Sequence, residues 1–222
     1  MSNHIWIATI FFLFSFIACS TSSIVLDKDY GDQNVMNKSI TIVKLFDSPD
    51  ISNADDVIDD LGEGDPAEVY TNFFKERFLA TFKNSSYFRS ISFVDSFPKA
   101  ELKPLDINVN GEIIKAYLPN KKSKFEKITT DYILFIYDVS ASRSSASSGS
   151  FVGGLNMGGS FGTLNHRLEF ALWDSESMKL ASYGIAYSTS DVPFNMVQKN
   201  WAEAIWGLAI NLLKKSPFKL RA

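Results

Sequence analysis

"DYILFIYDVSAS", residues 131–142, is nearly unbroken in apolar side chains over its first half. It is too short for a long helix and is rich in β-branched and aromatic residues, so it reads as a central strand covered on both faces. Its neighbours follow from it. Downstream, "LNHRLEFALWDSESMKLASYGIAYST" (164–189) alternates, with Leu164, His166, Leu168, Phe170 and Leu172 facing one way and Asn165, Arg167 and Glu169 the other. Asp174 to Met178 make a turn, and a second strand runs from Lys179 to Thr189. Upstream, "SITIVKLFD" (39–47) is a β-branched run ended by Asp47 and Ser48-Pro49, a buried first strand. "SYFRSISFVD" (86–95) is a further strand. "LDINVNGEIIKAYL" (105–118) alternates around Asn110-Gly111, a hairpin signal. "PNKKSKFEKITT" (119–130) reads as exposed and basic.

Two helices complete the pattern. Asp65-Pro66-Ala67-Glu68 opens the first, with Asp65 as cap, Pro66 in the first turn and Glu68 at capping-box spacing. Tyr70, Phe74, Phe78 and Phe82 recur every four residues and stack along one face, a core stripe. Residues 195–215 form the second, an amphipathic helix with Val197, Trp201, Ile205, Leu208 and Leu212 on one face. Trp206 and Leu213 lie off that stripe; packing on a wider core face is the default reading for both, and a self-association surface the alternative. Lys214 and Lys215 suit the negative helix end, and Pro217 stops it. The expected fold class is α/β (α+β): a mixed sheet of about five to seven strands, with an aromatic-rich helix and a C-terminal amphipathic helix packed on it.

The 222 residues carry 22 basic and 25 acidic side chains, a net charge of −3, and aromatics make up 14 %. With no basic excess to hold phosphate backbones, no nucleic-acid partner is expected. The segment 50–65 holds seven acidic residues, but it lacks the alternating D-x-D-x-D-G order of a calcium loop and reads as a solvated acidic loop. No zinc ligand set is present, and no metal or cofactor is expected.

From Ile5 to Ile17 the chain is almost wholly apolar, and no charged side chain precedes Asp27. A membrane-spanning helix needs about 20 residues, whereas this run has the length of a signal-peptide core. It ends Phe16-Ile17-Ala18-Cys19, which resembles the lipobox of bacterial lipoproteins, with Phe16 where leucine is usual. The resemblance implies a signal peptide over 1–18, cleavage between Ala18 and Cys19, and acylation of Cys19, the chain's single cysteine. Palmitate-type chains on Cys19 would hold the protein to a membrane by burying methylenes, at about 0.8 kcal/mol each. Ser20 stands where inner-membrane retention signals carry Asp, which points to the outer membrane, the protein facing the periplasm. Residues 19–38 read as the lipidated cysteine and a flexible tether of reach ~25 Å, and residues 39–222 as one globular domain.

Within that domain, "SASRSSASSGSFVGGLNMGGSFGT" (140–163) is Gly/Ser-rich and matches neither phosphate-loop pattern. Its simplest reading is a flexible hairpin tip. Its sharper reading is a flap or hairpin that meets membrane or partner through Phe151, Val152, Leu155, Met157 and Phe161. "SITIVKLFD", "DYILFIYDVS", this Gly-rich loop before the long hairpin, and the closing "NWAEAIWGLAINLLKK" together resemble a loose group of envelope lipoproteins. The group includes the curli secretion channel lipoprotein, activators of penicillin-binding proteins and the amino-terminal domain of the Tol-system propeller protein. It implies a non-catalytic binding or assembly role in the cell envelope, with an envelope protein partner or self-association. The alternatives are a subunit of an oligomeric secretion pore and a lipid-anchored hydrolase of an envelope glycan. The Gly/Ser stretch lacks the alternating apolar strands of a lipid-facing band. Catalysis finds little support: His166 sits on an apolar strand face and reads as a satisfied core histidine, no serine lies in a G-x-S-x-G elbow, and no carboxylate pair stands out.

Overall fold

The computed structural model describes residues 22–31, 33–52, 54–120, 128–146, 151–152, 155–156, 161–193 and 196–221. In chain order the elements are β1 (Ser23–Leu26), a 3-10 turn at Lys28–Tyr30, β2 (Ser39–Lys44), β3 (Asp50–Ile51), α1 (Ala54–Leu61), α2 (Pro66–Ser85) and β4 (Ser90–Val94). A second 3-10 turn at Lys99–Glu101 leads to β5 (Leu102–Val109), β6 (Glu112–Pro119), β7 (Tyr132–Ala146), β8 (Phe151–Val152), β9 (Leu155–Asn156), β10 (Phe161–Asp174), β11 (Lys179–Pro193) and α3 (Gln198–Lys214). Seven strands form one mixed sheet in the order β1-β11-β10-β7-β2-β4, with β3 beside the second half of β7. β2 runs parallel to both β4 and β7, and β3 runs parallel to β7, whereas the pairs β7–β10, β10–β11 and β11–β1 are antiparallel. The expected mixed sheet with two helices packed on it is the observed architecture.

Strand alternation divides the sheet into two faces. Leu134 and Ile136 of β7 and Leu164, Leu168, Phe170 and Leu172 of β10 join α2 and α3 in the main core. The aromatic stripe of α2 is stacked as its spacing requires: successive centroids from Tyr70 to Phe82 lie 6.2, 5.0 and 4.8 Å apart, and all four rings are buried. Asp65 caps this helix, its Oδ1 accepting from the Glu68 N–H at 3.0 Å. On the opposite face, Ile133, Phe135 and Trp173 pack with Leu102 and Ile128. The β5–β6 hairpin closes that face with Ile107, Val109, Ile114, Ala116 and Leu118 over Ala171 and Ile185. Its turn at Asn110-Gly111 has positive φ at both residues, as a two-residue hairpin turn demands.

Two expectations are corrected. The flexible tether to residue 38 is instead folded from Ser22 onward. β1 pairs with β11 from Ser23↔Ile185 to Leu26↔Ser182, and Ile24 and Leu26 pack on the main core. Tyr30 is buried, and its hydroxyl donates to Asp174 Oδ2 at 2.7 Å. Val35 bridges to Phe218. A four-residue strand is too short to show a period, so only its partner reveals it. The acidic loop at 50–65 contains the helix α1. Val57 is its buried anchor, and two of its acids have partners: Arg143 Nη1 donates to Asp56 Oδ1 at 3.2 Å and Trp201 Nε1 to Asp60 Oδ2 at 2.8 Å.

Candidate functional site

The N-terminal edge of the sheet is built by three close approaches. Ser22 accepts from the Tyr187 N–H at 2.9 Å, and its hydroxyl donates to the Tyr187 carbonyl at 3.2 Å. The same carbonyl accepts from Asn211 Nδ2 of α3 at 2.7 Å. Beyond Ile185, no described strand lies on the outer side of β11. α3 crosses there at Gly207, where a Cβ would stand 2.5 Å from Ser188 Oγ. Between strand edge and helix lies a groove of about 680 Å³, lined by Tyr187, Ser188, Ser190, Glu203, Trp206 and Asn211 among others. Its one anionic lining residue, Glu203, pairs with Lys199 at 3.5 Å. Trp206 is 54 % exposed, so the default reading that it packs on the core is corrected, whereas Leu213 is fully buried as that reading expects. The helix begins at Gln198, which leaves Val197 in the cap position and exposed, outside the apolar stripe. The hairpin tip reaches the same edge, since Asn110 Nδ2 donates to Ser23 Oγ at 3.2 Å, and nearby Ile113 is 64 % exposed.

The far edge has a different chemistry. β4 ends the sheet there. A groove of about 490 Å³ runs beside it, lined by Leu79, Lys83, Phe88, Arg89, Ile91 and Arg221 among others. Arg89 pairs with Asp131 at 3.5 Å, and the Arg221 guanidinium lies over Tyr87, 5.2 Å from the ring centroid.

A carboxylate pair does come together on the hairpin face. Asp138 and Glu169 are register partners on β7 and β10, and both line a cleft of about 310 Å³ with Asp47, Lys99 and Lys115. One guanidinium serves both: Arg167 lies 2.6 Å from Glu169, 3.3 Å from Asp138 and 3.1 Å from Glu112. Burial raises the Asp138 carboxyl, and the Arg167 charge opposes that rise. The two acids stand side by side on adjacent strands and share Arg167 with Glu112 of β6, so the cluster ties the hairpin to the sheet. Its signal in the sequence was the alternation that put Arg167 and Glu169 on one strand face; the positions of Asp138 and Glu112 are set by the fold.

His166 is buried at 1 % exposure, as its alternation implies, but it is not satisfied. Neither ring nitrogen has a hydrogen-bond partner, and the ring is stacked on Tyr70 at 5.9 Å and set edge-on to Trp201 at 5.8 Å. Burial pulls its pKa down to about 3. No carboxylate is hydrogen-bonded to it, so the orienting acid of a Ser–His–Asp relay is missing from its described surroundings.

Of the other sequence-derived candidates, Ala18, Cys19 and Met157 lie outside the described residues. Phe151 and Val152 form β8 and Leu155 begins β9, the two pairing as a small ladder. Phe161 begins β10 opposite Ala146 of β7, so the long ribbon extends into the Gly/Ser-rich stretch from both sides. Among the described residues, no helix is long and apolar enough to cross a membrane, and no group of three or more His, Cys, Asp or Glu could hold a metal ion.

No family model and no curated protein sequence matches the chain. Among solved structures, it is similar to a neuraminyllactose-binding hemagglutinin homolog from Helicobacter pylori, with 11 % identity, 83 % of this chain and 86 % of that one covered, and a TM-score of 0.42. It is also similar to the PelC dodecamer protein of Paraburkholderia phytofirmans, with 10 % identity, 89 % and 98 % coverage and a TM-score of 0.32. A hypothetical protein from Chlamydia trachomatis gives 7 % identity, 78 % and 98 % coverage and a TM-score of 0.35. Likenesses this distant assign neither a family nor a function.

Proposed function

We propose that this chain is a lipid-anchored, periplasm-facing protein of the outer membrane with a non-catalytic binding or assembly role in the cell envelope. The observation that carries the proposal is the apolar run closed by Ala18-Cys19, followed within three residues by Ser22, which is hydrogen-bonded to Tyr187 of β11. A signal peptide cut before Cys19 would leave the acylated residue at the domain's own edge. The binding role draws support from how the polar side chains are used. Arg167, Asp138, Glu169 and Glu112 are spent on one another, and His166 is sealed between aromatic rings. Two grooved sheet edges are open to solvent, and the stretch that holds Phe151, Val152, Leu155, Met157 and Phe161 follows β7 in the chain.

Mass spectrometry of the protein purified from its own envelope tests the anchor. The expected N-terminal residue is Cys19, with a thioether-linked diacylglycerol, and Cys19→Ala is expected to leave the protein with residues 1–18 uncleaved. An unmodified thiol on a wild-type chain that retains residues 1–18 defeats the reading. For the binding role, a photo-crosslinker on β4 or in the 151–161 stretch is expected to trap a discrete envelope partner, and deletion of 145–162 to abolish the second adduct with the fold intact.

A further inference from the structure

We propose that the β11–α3 edge lies against the headgroup layer of the membrane that holds the chain, with Trp206 as its interfacial anchor. The inference rests on the acylation of Cys19 proposed above, and it adds an orientation to that reading. Ser22 is fixed to Tyr187 through both backbone groups. Three Cα–Cα steps separate Cys19 from Ser22, and at 3.8 Å each they reach no more than about 11 Å. The diacylglycerol on the sulfur enters the bilayer at its surface, so the edge that carries Ser22 cannot stand off from it. A tether of nineteen residues would have left the domain free to tumble; two intervening residues, Ser20 and Thr21, do not.

The surface around Ser22 has the chemistry of that layer. Its groove is lined by Ser188, Ser190 and Trp206 among others, with Trp206 the exposed ring; the Tyr187 ring turns to the hairpin face, where its hydroxyl meets Arg167 and Glu112. Hydroxyl donors suit phosphate and ester oxygens, and Trp is a residue that settles at membrane–water interfaces. The one carboxylate there, Glu203, has Lys199 beside it, which lessens repulsion from anionic lipid. Ile113, on the hairpin arm that reaches Ser23 through Asn110, sets a second exposed apolar side chain near the same edge. The opposite edge, β4 with its basic groove, then points away from the bilayer.

The experiment uses the native acylated protein in phosphatidylethanolamine–phosphatidylglycerol vesicles, with lipids brominated high on the acyl chains as quenchers. Trp173 and Trp201 are buried and Trp6 precedes the cleavage site, so Trp206 is the responsive fluorophore. Brominated lipid is expected to quench the part of the emission that is missing in Trp206→Phe. Insertion of roughly twenty Gly/Ser residues between Thr21 and Ser22, which lengthens the reach to ~25 Å, is expected to cut the quenching several-fold. Vesicle-bound, acylated protein whose Trp206 stays open to iodide and unquenched by lipid would overturn the orientation and leave the anchor standing. Shielding from iodide that grows with protein density, without lipid quenching, would assign the face to a second copy and also overturn it. Absence of acyl chains on Cys19 in the mass spectrum would remove the anchor itself, and the orientation with it.

Discussion

At the scale of single residues, His166 makes the strongest prediction. Its ring faces Tyr70 of α2 and Trp201 of α3, and the carboxylate that reaches this cluster, Asp60 of α1, accepts from Trp201. A protonated imidazole has nothing there to stabilise it, so burial lowers the pKa from 6.5 to about 3. The unfolded chain therefore binds a proton that the folded chain refuses. Between pH 6.5 and about 3, stability rises with pH, by about 1.4 kcal/mol per unit from this one group. His166→Leu is expected to remove that slope, measured as the difference between wild-type and variant urea midpoints across the window. At neutral pH the variant is expected to match or exceed the wild type, because the two ring nitrogens it deletes have no partners. Tyr70→Phe follows the same logic: its hydroxyl is buried and unpartnered, and its loss is expected to be neutral or to stabilise by up to ~1 kcal/mol. Alternation alone placed His166 in the core. The lack of a partner was not legible, because it depends on which rings α2 and α3 bring over the strand.

At the scale of elements, the parts legible in the sequence were those whose signal is local. The stripe of α2, the Asn110-Gly111 turn, the continuous β7 and the β10–β11 hairpin each carry their period within one segment. β1 and α1 do not. Their reasons lie elsewhere in the chain: β1 exists because β11 offers it a smooth track, and Gly184 is what makes the track smooth. Gly184 has φ +147°, and a Cβ there would stand 2.2 Å from the Ser23 carbonyl oxygen. Gly184→Ala is expected to cost about 2 kcal/mol or more and to expose the amides of Ile24 to Leu26 to hydrogen exchange while α2 stays protected. Gly207→Ala is the contrasting case. Its methyl meets Ser188 Oγ, a side-chain atom that can turn away, and alanine gains roughly 1 kcal/mol of helix propensity. A change within about 1 kcal/mol is expected, and equal, large losses for both variants would refute this account of how the edge is assembled.

At the scale of the whole molecule, the sheet faces were readable from alternation, but the layer that covers the second face was not, nor was the identity of the two outer strands. Both depend on how the β5–β6 hairpin docks, and Arg167 fixes that docking. Its guanidinium joins Asp138 of β7 and Glu169 of its own strand to Glu112 at the hairpin tip, and its Nε donates to the Tyr187 hydroxyl of β11 at 3.2 Å. Removing the charge leaves three carboxylates facing one another in a half-buried site. Arg167→Met, which keeps most of the apolar stem, is expected to destabilise by about 2 kcal/mol at neutral pH, between the values for exposed and buried pairs. The pH dependence separates charge from packing. Without the guanidinium that opposes it, burial holds the Asp138 carboxyl further above its unfolded pKa, so the folded chain binds more protons than the unfolded one. The deficit relative to wild type is then expected to shrink as pH falls from neutral into the carboxylate range, with hydrogen exchange fastest at Val109 to Glu112. A deficit that is constant with pH would mean that Arg167 acts through its stem alone, and that the hairpin layer is held by Ile107, Ile114 and Leu118 without help from the ion cluster.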